Sequence, residues 1–176
     1  MATTITLEEI INFLLEAPMF GDLDAAELSK IVHIMQIQRL RPGQVVFREG
    51  ERGDAWYVLY EGDVEVQKDT GFDNSVIAVL RPPACFGEMA ILDGSNRSAT
   101  VRATSQATAF RFPRSDFTDL LDDENLAAYK LVYQMALVLV DRQRKTTTAL
   151  AELLSNQGPR IQKELEPIVK RSSVAE

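Results

Sequence analysis

Cysteine and histidine are almost missing from this chain: Cys85 and His33 are the only ones among 176 residues. A single cysteine excludes an intrachain disulfide, and one cysteine with one histidine cannot assemble a Cys/His metal set. Carboxylate-only metal ligation stays open, but no motif for it is present. Basic charge is also scarce. Lys and Arg number 19 against 26 Asp and Glu, for a net charge of −7 and a pI near 4.8. Such a chain repels phosphate backbones and has no broad electrostatic footprint for nucleic acid, so any anion it binds must be gripped locally. Long apolar runs are missing as well. The longest, "LVYQMALVLV" at 131–140, includes Gln134, and the start "MATTITLEEI" lacks the basic and apolar regions of a secretory signal. These absences predict a soluble, cytoplasmic protein with no membrane partner.

What is present is the composition of a globular protein, 45% hydrophobic and 26% charged, at a length suited to one domain with a modest extension. Leu7, Ile10, Ile11, Leu14 and Leu15 line one helical face between Thr6 and Pro18. A second helix is predicted over "GDLDAAELSKIVHIM", with Asp24 as its cap. His33 lies on that helix and is assigned no function. After residue 36 the texture changes. "RPGQVVFREG", "DAWYVLYEGDVEVQ", "NSVIAVL", "SATVRA" and "QATAFRF" are short β-rich runs divided by Pro-Gly, Gly-Asp and Asp-Asn turn signals, the pattern of a small barrel or sandwich.

From Glu124 the sequence turns helical again, with two stripes at heptad-like spacing. One runs through Ala128, Val132, Met135 and Leu139, the other through Leu126, Tyr129, Tyr133, Ala136 and Val140. Two apolar faces need two covering surfaces, either the β-domain and a partner helix or two surfaces within one monomer. The tail "RIQKELEPIVKRSSVAE" adds at most a turn or two of helix.

The stretch "FGEMAILDGSNRSATVRA", residues 86–103, stands apart. Gly87 lets backbone approach a ligand, and "EMAIL" can form one helical turn with outward N–H donors. Arg97, followed by small residues that leave room around it, can hold an anion with its guanidinium fork, aided by Ser98 and Ala99. Glu88 beside an anion needs a donor of its own, and a sugar hydroxyl supplies one. The same residues also fit a plain Glu88–Arg97 ion pair bracing a loop.

This stretch resembles the phosphate-binding cassette of cyclic nucleotide-binding domains, the modules of bacterial catabolite activators, protein kinase regulatory subunits and cyclic-nucleotide-gated channels. The resemblance spans residues 12–145. It implies a mainly β fold with flanking helices: a jelly-roll-like β-roll (double-stranded β-helix) with N-terminal helices over 1–123, a long C-terminal lid and dimerisation helix over 124–155, and a tail over 156–176. It also implies that Glu88 holds the ribose 2′-hydroxyl and Arg97 the exocyclic phosphate oxygens. Gly87, Met89, Ala90 and Ala99, with the Ser98 hydroxyl, complete the cage. Arg142 falls where bacterial activators offer a small hydroxyl to the base, and a guanidinium there either stacks on a purine or stays solvated. The segment after the long helix is too short for a helix-turn-helix, so no DNA binding is expected.

The resemblance thus implies a non-enzymatic receptor for cAMP, alternatively cGMP. It needs no cofactor or metal, forms a homodimer, and signals to an effector protein by rearranging its C-terminal helix. The competing reading is an interaction or scaffold domain of the same fold that binds no nucleotide.

Overall fold

The computed structural model describes residues 5–69, 71 and 74–156. Two N-terminal helices, α1 (Leu7–Glu16) and α2 (Ala25–His33), flank a 3₁₀ turn at Pro18–Phe20. Both start on reciprocal caps. The Thr6 hydroxyl accepts from Glu9 N while the Glu9 carboxylate accepts from Thr6 N, and Asp24 and Glu27 repeat the arrangement. Each box satisfies N–H groups that a helix start would otherwise leave unpaired. The expected cap at Asp24 is therefore present.

Eight strands follow: β1 (Gln36–Leu40), β2 (Val45–Phe47), β3 (Ala55–Glu61), β4 (Val64–Asp69), β5 (Asn74–Leu80), β6 (Ala84–Phe86), β7 (Thr100–Ala103) and β8 (Ala107–Pro113). They form two antiparallel sheets, ordered β1-β8-β3-β6 and β2-β7-β4-β5. This is the expected β-roll with flanking helices. Between β6 and β7 lies the single turn α3 (Met89–Leu92). After β8 come α4 (Arg114–Asp122) and the long α5 (Leu126–Asn156).

Sequence patterning missed β1, β6 and α4. In β1 the apolar residues Ile37 and Leu40 are out of strand alternation, β6 is only Ala84–Phe86, and α4 has Pro113 at its N-cap position with no side-chain cap bond. The expected helical turns of the tail lie outside the described residues.

Strand β3 is buried on both faces, which explains its near-continuous apolar sequence. Ala55, Tyr57 and Leu59 face the roll interior with Phe47, Val64, Phe86 and Val101. Trp56 and Val58 face the helices, joining Leu14, Phe20, Leu28, Phe110, Phe112, Phe117 and Leu131. Trp56 stacks on Phe112 with centroids 4.1 Å apart at 10°. Full burial of each such side chain stabilises the fold by about 1.5–3 kcal/mol. Two compact units result, Met1–Met135 and Ala136–Glu176, so only the start of α5 belongs to the first. Lys130 ties that start to α2, its Nζ 2.7 and 2.8 Å from the two Glu27 carboxylate oxygens. No helix among the described residues is long and apolar enough to cross a membrane.

Candidate functional site: an arginine buried beneath a glycine turn

Strand β6 ends at Phe86 and the chain turns at Gly87, whose φ of +78° lies in the left-handed region. A Cβ at this position would stand 2.8 Å from Arg97 Nη1 and 3.2 Å from Phe47 Cε1. The glycine is therefore required twice, by the turn and by the guanidinium packed against it. Glu88 follows, 1% exposed, and α3 begins at Met89. Within α3 the N–H groups of Ile91 and Leu92 donate to Glu88 O, which leaves Met89 and Ala90 without an intrahelical acceptor. The expected turn over "EMAIL" is formed.

The loop after α3 returns alongside residues 50–52. Arg97 N donates to Glu51 O at 2.7 Å, and Gly50 N donates to Arg97 O at 2.9 Å. With its backbone held at both ends, Arg97 sends its side chain inward, where it is 3% exposed. Nη1 donates to Gly87 O at 2.8 Å. Nη2 donates to Ala55 O at 2.7 Å and to Asp54 Oδ1 at 3.1 Å. The guanidinium carbon lies 4.0 Å from the Phe47 ring centroid and 6.0 Å from that of Tyr57. Nε is buried with no hydrogen-bond partner. Burial lowers the Arg97 pKa from its ordinary value, against the opposing effect of Tyr57 and Asp54.

The small neighbours of Arg97 in sequence do leave it uncovered locally, but in the fold the Phe47 and Tyr57 rings do the covering. The ion pair present is with Asp54, which the sequence shows only as the first residue of the β-rich run "DAWYVLYEGDVEVQ". No local signal marks it, since it lies 43 residues from Arg97.

The structure gathers Gly87, Glu88, Met89, Ala90, Arg97, Ser98 and Ala99 into one cassette. Ala90 and Ala99 are buried, Met89 and Ser98 exposed, and Ser98 Oγ sits 3.7 Å from Met89 Sδ. The Ser98 carbonyl accepts from Lys68 Nζ at 2.8 Å, tying the end of the cassette to β4. Arg142 is half-buried on the part of α5 that belongs to the second compact unit. His33 lies apart on α2, its Nδ1 2.8 Å from Ser29 O. A shallow cavity of about 540 Å³ opens among Arg39, Leu40, Arg41, Pro42, Gln44 and Gln106, none of them a cassette residue.

Arg97 Nε is thus a buried donor left unsatisfied beside a glycine turn, on a group whose charge can pair with an anion. The cyclic nucleotide-binding domain family matches residues 37–124, half of the chain. The cAMP-dependent protein kinase regulatory subunit of Yarrowia lipolytica is 36% identical over 110 residues, 62% of this chain and 29% of that one. Among solved structures, a cyclic nucleotide-binding domain from Methylobacillus flagellatus matches with a TM-score of 0.73 at 25% identity, covering 82% of both chains. The catabolite activator protein of Thermus thermophilus matches at 0.67 and 26% identity, over 77% of this chain and 62% of that one. The chain spans less than a third of the length of the kinase regulatory subunits it matches. With the cassette formed around Arg97 and the family matched across the roll that carries it, the chain belongs to the cyclic nucleotide-binding domain family, a regulatory and non-catalytic module.

Proposed function

We propose that this chain binds a cyclic nucleotide through the 87–99 cassette, cAMP in preference to cGMP, and passes the signal to an effector protein by rearranging its C-terminal helix within a homodimer. The observation that carries the reading is the buried Arg97 side chain, 1% exposed with an unpartnered Nε. A buried donor without a partner costs about 1–3 kcal/mol, which an arriving phosphate oxygen returns. In this reading Arg97 takes the exocyclic phosphate oxygens and Glu88 the ribose 2′-hydroxyl. The Met89, Ala90 and Ala99 backbone and the Ser98 hydroxyl close around the phosphate, Gly87 admits the ligand, and Arg142 meets the base. The preference for cAMP rests on kinase-type relatives named as cAMP-dependent. The dimer rests on the exposed apolar stripe of α5.

Calorimetric titration with cAMP, cGMP and cyclic di-GMP tests the reading. Wild type is expected to bind cAMP most tightly, and Arg97→Ala to weaken it by roughly 100-fold or more, since truncating a charged hydrogen-bond partner leaves the phosphate unpaired. Binding by Arg97→Ala within a few-fold of wild type would remove the cassette assignment. No binding of any of the three would favour a scaffold domain.

A further inference from the structure

Arg97 shares its carboxylate. Gln36 on β1, Arg111 on β8, Tyr57 on β3 and Phe86 on β6 are register partners in one transverse row of the sheet. Tyr57 and Phe86 place that row on the face lining the roll. Phe86 is followed directly by the Gly87 turn, so the row runs from the edge strand to the cassette.

Within the row Arg111 makes two charge-directed bonds. Its Nη1 donates to Gln36 Oε1 at 2.8 Å, and its Nη2 donates to Asp54 Oδ2 at 2.8 Å. The other Asp54 oxygen accepts from Arg97 at 3.1 Å. The three groups differ in exposure: the side chain of Arg97 is 1% exposed, that of Arg111 23% and that of Asp54 64%. A largely exposed carboxylate is thus held between two cations, and its shorter bond is to Arg111.

That division matters for anion capture. A phosphate approaching Arg97 competes with Asp54 for the same guanidinium. With Arg111 in place, part of the carboxylate's charge is engaged elsewhere and its position is set by a second bond. Without Arg111 the whole carboxylate would turn to Arg97, and the phosphate would have to displace a complete ion pair. We infer that Arg111 is a positioning residue for the anion site, holding Asp54 at a distance and orientation that keep Arg97 available to a phosphate ester.

The protonation of the cluster agrees with this geometry. Burial pushes the Asp54 carboxyl up, but the hydrogen bond and charge of Arg111, with the charge of Arg97, outweigh it and hold the carboxyl below its ordinary value. Burial likewise lowers Arg111, yet Asp54 and Tyr57 more than offset it, and its pKa is raised. The shifts of Asp54 and Arg111 both favour their charged forms.

The inference rests on the nucleotide-binding reading and is tested separately from it by a double-mutant cycle read with cAMP. Arg111→Gln in the wild-type background should weaken cAMP by about tenfold, and the same change in an Asp54→Asn background should alter affinity by less than about twofold, because the carboxylate it acts through is gone. The ratio of cAMP to cGMP affinity should not change, since the row acts on the phosphate shared by both. Arg111→Lys keeps a cation for Asp54 and should bind within about threefold of wild type. It is the variant to rely on if Arg111→Gln does not fold. An equal loss in both backgrounds, no loss in either, or a folded Lys variant weakened tenfold would each overturn the role of Arg111. A wild-type protein that binds no cyclic nucleotide would instead overturn the proposed function, and this inference with it.

Discussion

Gly53 and Ala90 are in direct contact across two segments of the cassette region: a Cβ added to Gly53 would lie 2.5 Å from the Ala90 Cβ. Ala90 is 2% exposed and sits in the single turn of α3, so it has no free space to retreat into. Gly53→Ala should therefore push α3 outward, at a cost of about 1–3 kcal/mol in stability for overpacking, and weaken cAMP binding. Urea unfolding and calorimetry check both. Wild-type stability with wild-type affinity would mean that the turn yields freely.

Glu88→Gln should keep phosphate capture but blunt discrimination against 2′-deoxy-cAMP. A hydrogen bond to a charged group exceeds a neutral one by about 1 kcal/mol, so the preference for the ribose should fall roughly fivefold. Titrating both ligands into both proteins measures this. Equal discrimination would take Glu88 out of the ribose role.

Acid should destabilise the fold through carboxyls held below their ordinary pKa. Glu9 is lowered by the Thr6 N–H, Glu27 by Lys130, Glu49 by Lys68 and Asp93 by the Ser95 N–H. In Asp54 the pull of Arg111 outweighs burial. A depressed folded-state pKa gives stability that is present above the unfolded value, about 3.9 for Asp and 4.3 for Glu, and lost as pH falls through the folded value. The contribution of these groups should thus be constant from pH 7 to 5 and decline below about pH 4. Glu27→Gln should lower stability at pH 7 and flatten the acid decline. Parallel stability curves for the two proteins would contradict the Glu27 assignment.

Leu126, Tyr129, Tyr133, Leu137 and Val140 form an exposed apolar stripe on α5, with Tyr133 at 62% exposure. A charge buried there in a helix pair would lack a partner. Sedimentation should give a dimer for wild type and a monomer for Tyr133→Glu. The same mass for both would exclude this stripe as the dimer contact.

Residues 143–150 of α5 are exposed throughout, so opening this part of the helix uncovers little apolar area and costs little. If ligand biases the helix, saturating cAMP should slow amide exchange over residues 138–150, and Arg142→Ala should reduce that protection more than it reduces affinity. Unchanged exchange in the wild-type segment would end the helix-signalling proposal and leave the binding site untouched.

Sequence alone determined what neighbouring residues can encode. The apolar faces of α1 and α5, the Asp24 cap, the strands at Val45–Phe47, Ala55–Glu61 and Ala107–Pro113, and the Gly87 turn leading into α3 all follow from periodicity and turn chemistry within a few positions. The cassette was legible because its members lie between residues 86 and 103. Tertiary structure alone decided what surrounds Arg97. Asp54 meets it across 43 residues, Arg111 meets Asp54 across 57, and Gln36 meets Arg111 across 75. Those meetings depend on sheet order and strand register, including a β1 strand with no readable alternation, and only long-range packing of the whole roll fixes them.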